Sequence, residues 1–232
     1  MTGPGACCDR EHVELAELWP PAGLRVQWDD LELRYLDDDL LLRLAALAGE
    51  GVHSDDLMPF TVSWTRGTPT EVARSVLRYQ WSARTRVEPD DWRLELAVLV
   101  GGEPVGVQGV FAKDYPVTRS AETGSWLGRR FHGAGIGTRM RLAMLHLLFD
   151  GLGAQEATTA AFADNLASQA VTRKLGYVAT GRRVLGREGA PAESLDFAMS
   201  REQWLARPSS LRPALTVTGA DAVAELLTVT TD

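Results

Sequence analysis

Cysteine is scarce in this chain of 232 residues, and the two that occur, Cys7 and Cys8, are adjacent. Adjacent cysteines cannot cross-link distant parts of a fold, so we expect the protein to work in a reducing cytoplasm. Long apolar runs are also missing, since none approaches the roughly 20 residues of a membrane-spanning helix. The first residues contain no basic segment followed by an apolar one, so no secretory signal is expected. These absences predict a cytoplasmic protein that does not act at a membrane.

An excess of basic charge is missing as well, because the formal net charge is −7 at pH 7. Nucleic acids are usually bound by a basic face, so a nucleic-acid partner is not expected. No set of His, Cys and Asp residues has the spacing of metal ligands, so no metal is expected. A hydrophobic fraction of 45% and a charged fraction of 24% are typical of an ordinary globular protein with a sizeable core.

The most informative feature that is present is a run of small residues, Gly133–Thr138, between an apolar strand-like segment and a helical pattern. Small residues let the N–H groups at the start of a helix point outward, and the helix dipole adds partial positive charge there. This arrangement predicts the binding of a phosphate or pyrophosphate. Taken alone, the run is equally compatible with a flexible loop before a helix.

Two common phosphate-binding loops do not fit this run. A Walker loop needs Lys and then Ser or Thr after its last glycine, whereas Gly137 is followed by Thr138 and Arg139. A dinucleotide-binding loop has the spacing Gly-x-Gly-x-x-Gly close behind its first strand. Here the spacing is Gly-x-Gly-x-Gly, and Gly128–His132 separates the strand from the glycines.

Three motifs in order along the chain narrow the choice. Arg130–Gly135 has the pattern Arg-x-x-Gly-x-Gly, and Ala121–Leu127 before it reads Ala-Glu-Thr-Gly-Ser-Trp-Leu. Downstream, Asn165–Ser168 reads Asn-Leu-Ala-Ser, and Arg173–Tyr177 reads Arg-Lys-Leu-Gly-Tyr. Together they resemble the acyl-CoA loop and flanking signatures of the GNAT acetyltransferase superfamily, in its RimJ/RimL branch. A weaker resemblance extends over residues 31–204.

The periodicity of apolar residues predicts a mixed α/β sheet. The expected elements are a strand pair over Leu24–Leu36, helices from Asp37 to Leu47 and from a capping box at Thr68–Glu71 to Arg84, a hairpin over Trp92–Phe111, a strand over Arg119–Leu127, a helix from the glycine loop to Gly151, a strand over Ala157–Phe162, a helix over Leu166–Leu175, and strands over Tyr177–Leu185 and Ser194–Met199. The resemblance implies the GNAT fold, an α+β arrangement whose central, mostly antiparallel sheet is flanked by helices.

Composition divides the chain into three parts. Residues 1–23 form an irregular N-terminal arm, residues 24–205 the acyltransferase domain, and residues 206–232 a C-terminal extension. The extension begins with prolines and could then add a strand and a helix, on this chain or on a neighbouring subunit. We expect a homodimer or a higher homo-oligomer.

The resemblance implies acetyl-CoA as the acyl donor. It assigns donor binding to the glycine loop, the strand before it and the Asn-x-x-Ser motif, namely Trp126, Leu127, Arg129, Arg130, His132, Gly133, Ala134, Gly135, Ile136, Gly137, Thr138, Asn165 and Ser168. Some relatives with a stretch like Met58–Trp64 use succinyl-CoA, so succinyl-CoA stays open as the donor. For His132, an exposed loop histidine is the alternative interpretation.

Acyl transfer to an amine requires a base, because a lysine amine near pKa 10.4 or an α-amine near 8 is mostly protonated at neutral pH. Glu122 matches an acidic position of this branch and is the predicted base. The alternative for Glu122 is a solvent-facing strand carboxylate, and Glu193 and Asp196 are rival bases. The superfamily polarises the thioester carbonyl with backbone N–H groups where the strand before the loop separates from its neighbour, here near Ser125–Leu127.

The leaving thiolate needs a proton donor. Many members use a tyrosine that is replaced here by Thr172, so Ser168 is the predicted donor, and Asn165 is expected to hydrogen-bond the pantetheine. Either Asp164 or Asn165 would also serve as an ordinary helix N-cap, and the two roles are compatible. His146 is expected to be structural.

The resemblance implies an acceptor site in the long loop after the first helix, with His53, Met58, Phe60 and Trp64 as candidate substrate contacts. These residues could equally form a packing cluster. The predicted function is direct transfer of an acetyl group to a primary amine, without a covalent enzyme intermediate. A protein N-terminus, a lysine and a small amine such as an aminoglycoside all remain open as acceptors. A CoA-binding module without turnover is the alternative of a different class.

Overall fold

The computed structural model describes residues 13–208 and 212–227, so Cys7 and Cys8 lie outside the described residues. The strands are β1 (Arg25–Trp28), β2 (Leu31–Tyr35), β3 (Val87–Glu88), β4 (Asp91–Val100), β5 (Glu103–Lys113), β6 (Ser120–Leu127), β7 (Glu156–Phe162), β8 (Val178–Arg187), β9 (Ala190–Ser200) and β10 (Thr216–Thr218). The helices are α1 (Leu15–Leu18), α2 (Asp38–Glu50), α3 (Pro69–Arg84), α4 (Tyr115–Thr118), α5 (Ile136–His146), α6 (Leu166–Lys174), α7 (Arg201–Leu205) and α8 (Ala220–Leu226).

All of these strands belong to one sheet, in the order β10-β1-β2-β4-β5-β6-β7-β9-β8, with the short β3 paired to β4. Neighbouring strands are antiparallel except β6 and β7, which are parallel. The predicted mixed α/β fold with a mostly antiparallel sheet is therefore confirmed. The single parallel pair follows from the crossover through α5, because a helix between two strands brings the second back in the same direction.

Helices cover both faces of the sheet, and β4 shows how the sequence directs this. Its even-numbered apolar residues Leu94, Leu96 and Val98 belong to the core under α5. Its odd-numbered residues Ala97 and Leu99 belong to a second core that α2 and α3 form with the sheet. Alternate side chains of a strand point to opposite faces, so one apolar strand serves two cores.

Both helices of the second core begin at the caps that the sequence predicts. The carboxylate of Asp37 accepts the N–H of Leu40 at 2.8 Å at the start of α2. At the start of α3, the hydroxyl of Thr68 accepts the N–H of Glu71, and the Glu71 carboxylate accepts the N–H of Thr68 at 2.8 Å. This confirms the capping box. Residues 51–68, between the two helices, contain neither helix nor strand, as expected.

The helix after the glycine loop ends in a wider turn, Leu147–Gly151, with π-type hydrogen bonding. His146 lies at this junction, where its Nδ1 is 3.0 Å from the Asp150 carboxylate and its ring meets Trp204 edge-on at 4.7 Å. Both of these contacts are within the protein, with the partly exposed Asp150 and the buried Trp204. They are the contacts that a structural role requires.

The C-terminal extension does add a strand and a helix, and both pack on this chain's own fold. Val217 of β10 pairs with Val26 of β1. Val223 and Leu227, in α8 and directly after it, are fully buried in the core under α5. In the described part of the N-terminal arm, residues 13–23, the chain forms α1 and a 3-10 turn at Pro20–Gly23.

Candidate active site

Strands β6 and β7 pair only at their beginnings. Ser120, Ala121 and Glu122 face Glu156, Ala157 and Thr158, and no pairing follows although β6 continues to Leu127 and β7 to Phe162. Along the same stretch β6 stays paired with β5, so β7 is the strand that leaves. The opening exposes one backbone edge of β6 in the middle of the sheet.

Side chains take over the hydrogen bonding at the point where the two strands part. The hydroxyl of Thr123 donates to the carbonyl of Thr158 at 3.2 Å, and that of Thr159 donates to the carbonyl of Thr123 at 3.1 Å. Arg141, buried on α5, donates to the Thr159 hydroxyl at 3.3 Å, and burial lowers the pKa of its guanidinium. Its guanidinium also lies 5.8 Å from the centre of the Tyr177 ring. These contacts satisfy polar groups that would otherwise be buried without partners.

The glycine loop leads from the end of β6 into α5. Gly133 and Gly135 both have a φ of +77°, and a side chain added at either would meet nothing within 4 Å. Glycine is required there because other residues rarely adopt this conformation. Ile136 is buried and anchors the helix start, and the carbonyl of Gly135 accepts the N–H groups of Thr138 at 3.1 Å and Arg139 at 3.2 Å. The N–H groups of Ile136 and Gly137 come before the first intrahelical hydrogen bond.

A cavity of about 730 Å³ lies on the opposite face of the sheet, between α3, residues 59–64 and the open end of the β6–β7 gap. Its wall is largely aromatic and aliphatic, with contributions from Phe60, Trp64, Phe111, Trp126, Phe162 and Leu185. Its ionisable wall residues are Arg78, Tyr79, Glu95, Glu122 and Arg183. Glycine loop and cavity therefore lie on opposite faces of the sheet, and the gap between β6 and β7 lies between them.

A family model described as an acetyltransferase (GNAT) domain matches residues 30–178, more than half of the chain. The chain belongs to the GNAT acetyltransferase family. This confirms the family predicted from the three motifs.

Solved GNAT structures share the fold at low sequence identity. Mycobacterium smegmatis RimJ in complex with a CoA disulfide is 22% identical, with 82% of this chain and 90% of that chain covered and a TM-score of 0.63. The ribosomal α-N-protein acetyltransferase RimL in complex with CoA is 19% identical, with 76% and 97% covered and a TM-score of 0.57. The microcin C7 self-immunity acetyltransferase MccE, solved with acetyl-CoA and AMP, is 15% identical, with 75% and 93% covered and a TM-score of 0.58.

Two side chains of the predicted GNAT donor site bind the protein itself. The guanidinium of Arg130 hydrogen-bonds the carboxylates of Glu50 and Glu103, the latter at 3.0 Å, and stacks on the ring of Phe131 at 4.8 Å. His132 is exposed, and its Nε2 lies 3.1 Å from the carbonyl of Leu127. Both contacts are within the protein and lie at the glycine loop.

The Asn-x-x-Ser motif begins α6, beside the distal part of β7. The side chain of Asn165 accepts the N–H of Ser168 at 3.1 Å, which confirms that Asn165 is a helix N-cap. Thr172 is fully buried, and its hydroxyl donates to the Ser168 carbonyl at 2.9 Å. The Ser168 side chain is half-buried, on the first turn of the helix.

The four predicted acceptor residues fall into two groups. Phe60 and Trp64 line the cavity, and their rings form a series with Trp126 at centroid distances of 5.0 and 5.8 Å. Met58 is buried and His53 hydrogen-bonds the Thr65 hydroxyl at 2.7 Å, and neither belongs to the cavity wall. His53 and Met58 therefore fit the alternative interpretation, in which these residues form a packing cluster.

The three predicted candidate bases differ in their surroundings. Glu122 is half-buried in the cavity wall, and burial raises its pKa, with Arg183 opposing and Asp196 adding to that rise. Asp196 is itself paired with Arg183 at 3.2 Å. Glu193 is paired with Arg182 at 3.2 Å and is not part of the cavity wall. Of the three, only Glu122 lines the cavity.

Glu95, which sequence reasoning missed, is a second carboxylate in the cavity wall. It faces the same side of the sheet as Ala97 and Leu99, and it accepts a hydrogen bond from the hydroxyl of Tyr79 at 2.7 Å. An acidic residue within the apolar strand Trp92–Val100 was the available signal. A charge placed among residues that face a core requires a partner or a function.

Two searches of the described ranges, 13–208 and 212–227, gave negative results. No cluster of three or more His, Cys, Asp or Glu side chains is arranged to hold a metal ion. No helix combines the length and the apolar character needed to cross a membrane.

Proposed function

We propose that the protein transfers an acetyl group from acetyl-CoA to a primary amine in one direct step. The observation that carries the proposal is the gap between β6 and β7, which lies between the glycine loop and the cavity. A donor held at the loop and passing through the gap presents its thioester to the cavity. An acceptor in the cavity then reaches the thioester carbon from the other face of the sheet.

Donor binding is assigned to the loop amides over 133–138 and to the separated strands. Positive φ at Gly133 and Gly135 and open space around both fit the close approach of a pyrophosphate to the backbone. The structures of RimL and RimJ with CoA species, and of MccE with acetyl-CoA, support this donor. Succinyl-CoA is the alternative donor.

The thioester carbonyl is polarised by a backbone N–H of the β6 edge that β7 leaves, within Ser125–Leu127. Such donors already point at the position where negative charge develops, so they stabilise the transition state by several kcal/mol, equivalent to about 10²–10³ in rate. Trp126 lies within this stretch, and its side chain forms the wall of the cavity along which the acyl end lies. Leu127 points to the other face of the sheet, into the core under α5.

Three polar side chains are assigned to the remaining steps. Glu122, next to the point where the strands part, contacts the amine in the cavity. Ser168 donates a proton to the leaving thiolate, and Asn165 fixes the helix turn that carries Ser168. With a thiol pKa near 8.5, a hydroxyl donor near the sulfur lowers the barrier to its departure.

The acceptor is a primary amine on a protein or on a small molecule. RimL, whose description names an α-N-protein acetyltransferase activity, supports a protein N-terminus. The cavity volume of about 730 Å³ is within the range of ordinary small-molecule sites. This volume favours an acceptor whose amine-bearing group enters the cavity over one that lies flat against the surface.

The test is release of free thiol from acetyl-CoA in the presence of a panel of amines: N-terminal peptides, lysine peptides, aminoglycosides and alkylamines. Thiol release that depends on the amine, with a product heavier by one acetyl group, supports transfer. Binding of CoA without thiol release from any amine would contradict it and would indicate a CoA-binding module. A rate with succinyl-CoA at least tenfold higher than with acetyl-CoA would reassign the acyl group.

A further inference from the structure

Glu95 and two glycines form a continuous row across three strands. Glu95 on β4 pairs with Gly109 on β5, which pairs with Gly124 on β6. A methyl group at Gly109 would lie 2.5 and 2.7 Å from the two carboxylate oxygens of Glu95. The Glu95 side chain therefore extends across β5 toward β6, and only a glycine leaves room for it.

Gly124 continues this row to the opening of the sheet. A methyl group at Gly124 would meet nothing within 4 Å, and the residue is exposed and lines the cavity. It lies two positions beyond Glu122, the last residue of β6 that pairs with β7. The space above Gly124 is thus bordered by the Glu95 carboxylate, by Glu122 and by the gap between the strands.

Polar and charged side chains approach Glu95 from α3, from its own strand and from the rest of the cavity wall. Tyr79 and the buried amide of Gln80 approach from α3, and Arg93 lies on its own strand. Arg78, Glu122 and Arg183 are the other charged residues of the cavity wall. Burial raises the pKa of Glu95 to about 7, and Tyr79 and Arg93 oppose that rise.

We propose that Glu95 is the proton acceptor of the acetyl transfer, acting on an amine bound above Gly124, while Glu122 holds the same nitrogen from the other side. The inference rests on the proposed function. An N–H bond of the ammonium breaks and an O–H bond forms on Glu95. The freed electron pair of the nitrogen attacks the thioester carbon. The C–S bond breaks with its electrons on sulfur, and the second proton of the attacking nitrogen passes to the thiolate through the Ser168 hydroxyl or solvent. The products are the neutral amide, the CoA thiol and protonated Glu95, which returns its proton to solvent.

The assignment predicts a specific pH profile of kcat/KM with a simple amine of pKa near 10. Glu95 must be ionised and the amine protonated on binding, so kcat/KM rises up to about pH 7 and is then level until the amine itself titrates. In Glu95→Gln the rate depends on the fraction of free amine, so it increases about tenfold per pH unit across the former plateau. The loss near pH 7 is roughly 10²–10⁴-fold, as for other general bases.

Two matched variants make the comparison decisive. Glu122→Gln lowers the rate but keeps a plateau that begins near pH 7. The control is Glu156, an exposed residue at the start of β7 and outside the cavity wall, and Glu156→Gln keeps the wild-type pH profile. A plateau that survives in Glu95→Gln and is lost in Glu122→Gln would overturn the assignment. Failure of the proposed acetyl transfer itself is distinguishable from failure of the Glu95 assignment, because the wild-type protein would then release no thiol with any amine.

A second measurement needs no turnover. Carboxyl ¹³C NMR of glutamate-labelled protein, with the Glu95 signal assigned from Glu95→Gln, follows its titration directly. The expected midpoint is about 7, and in Tyr79→Phe it moves higher because the hydrogen bond that stabilises the carboxylate is lost. A midpoint near the ordinary glutamate value of about 4.3 would overturn the proposal.

Discussion

At the residue scale, the cavity separates two glutamates by what each contacts. Glu95 has a hydroxyl donor from Tyr79 and a glycine beneath it, whereas Glu122 has the guanidinium of Arg183 nearby. A nearby cation keeps a carboxylate ionised, which suits Glu122 to binding an ammonium. Burial raises the pKa of Glu95 to about 7 although Arg93 opposes that rise, which suits Glu95 to exchanging a proton near neutral pH.

Replacing Glu122 by glutamine tests the binding role. A hydrogen bond to a charged group contributes about 1.5–3 kcal/mol, so KM for the amine should rise roughly ten- to hundredfold below the amine pKa. Affinity for CoA, measured by calorimetry, should stay at the wild-type value. A KM unchanged in a folded Glu122→Gln protein would remove this residue from the acceptor site.

The polar contacts where β6 and β7 part give a stability prediction. Thr159→Val leaves the Thr123 carbonyl and a guanidinium N–H of the buried Arg141 without a partner, so the free energy of unfolding should fall by about 1–3 kcal/mol. The neighbour Thr158 is the control, since its hydroxyl makes only a 3.5 Å contact with the Ala121 carbonyl. Urea denaturation of both valine variants compares them. Equal losses would mean that these hydrogen bonds do not stabilise the opening.

At the element scale, the glycine loop is the part whose function rests on backbone geometry. Gly135→Val should abolish measurable CoA binding, because a β-branched side chain blocks the approach of phosphate and resists a φ of +77°. Gly189→Val is the matched control. It has a φ of +82° and equal open space but lies in the turn between β8 and β9. CoA binding is measured by calorimetry. Weakened binding in both variants would mean that the backbone strain of a valine at positive φ causes the loss, and not a blocked approach of the phosphate.

Elements set by local sequence were predictable, and elements set by contacts across the sheet were not. The Thr68–Glu71 capping box and the glycine loop are each contained within a few consecutive residues, so spacing alone identified them. The row from Glu95 through Gly109 to Gly124 depends on the register of three strands, which no local pattern specifies. Two glycines in separate strands gave no sign that they face one cavity.

Burial of charge was the other feature that the sequence concealed. Arg141 occupies a helix whose apolar period is clear, and nothing in that period marks the residue as buried. The structure buries it, because the gap between β6 and β7 leaves polar groups that need a donor. Spacing in a helix shows which face a residue occupies, and the neighbouring elements decide whether water reaches it.

At the scale of the whole molecule, the C-terminal extension completes the sheet and the core of the same chain. Leu227→Ala should lower the free energy of unfolding by about 2–5 kcal/mol, because the side chain is fully buried. Leu205→Ala, which is half exposed, should change it by less than about 0.5 kcal/mol. Urea denaturation of both variants at one protein concentration compares them. Equal changes in the two would mean that Leu227 is not part of this chain's core.

The position of loop and cavity on opposite faces of one sheet has a consequence for how such a protein diversifies. Residues 59–64 and the exposed side of α3 border the cavity but lie away from the start of α5. Under the proposed function, substitutions there can alter which amine fits without touching the loop to which donor binding is assigned. Loops and surface positions on a rigid scaffold tolerate such change far better than buried strands. A change of acceptor therefore does not require a change in the proposed acyl-transfer chemistry.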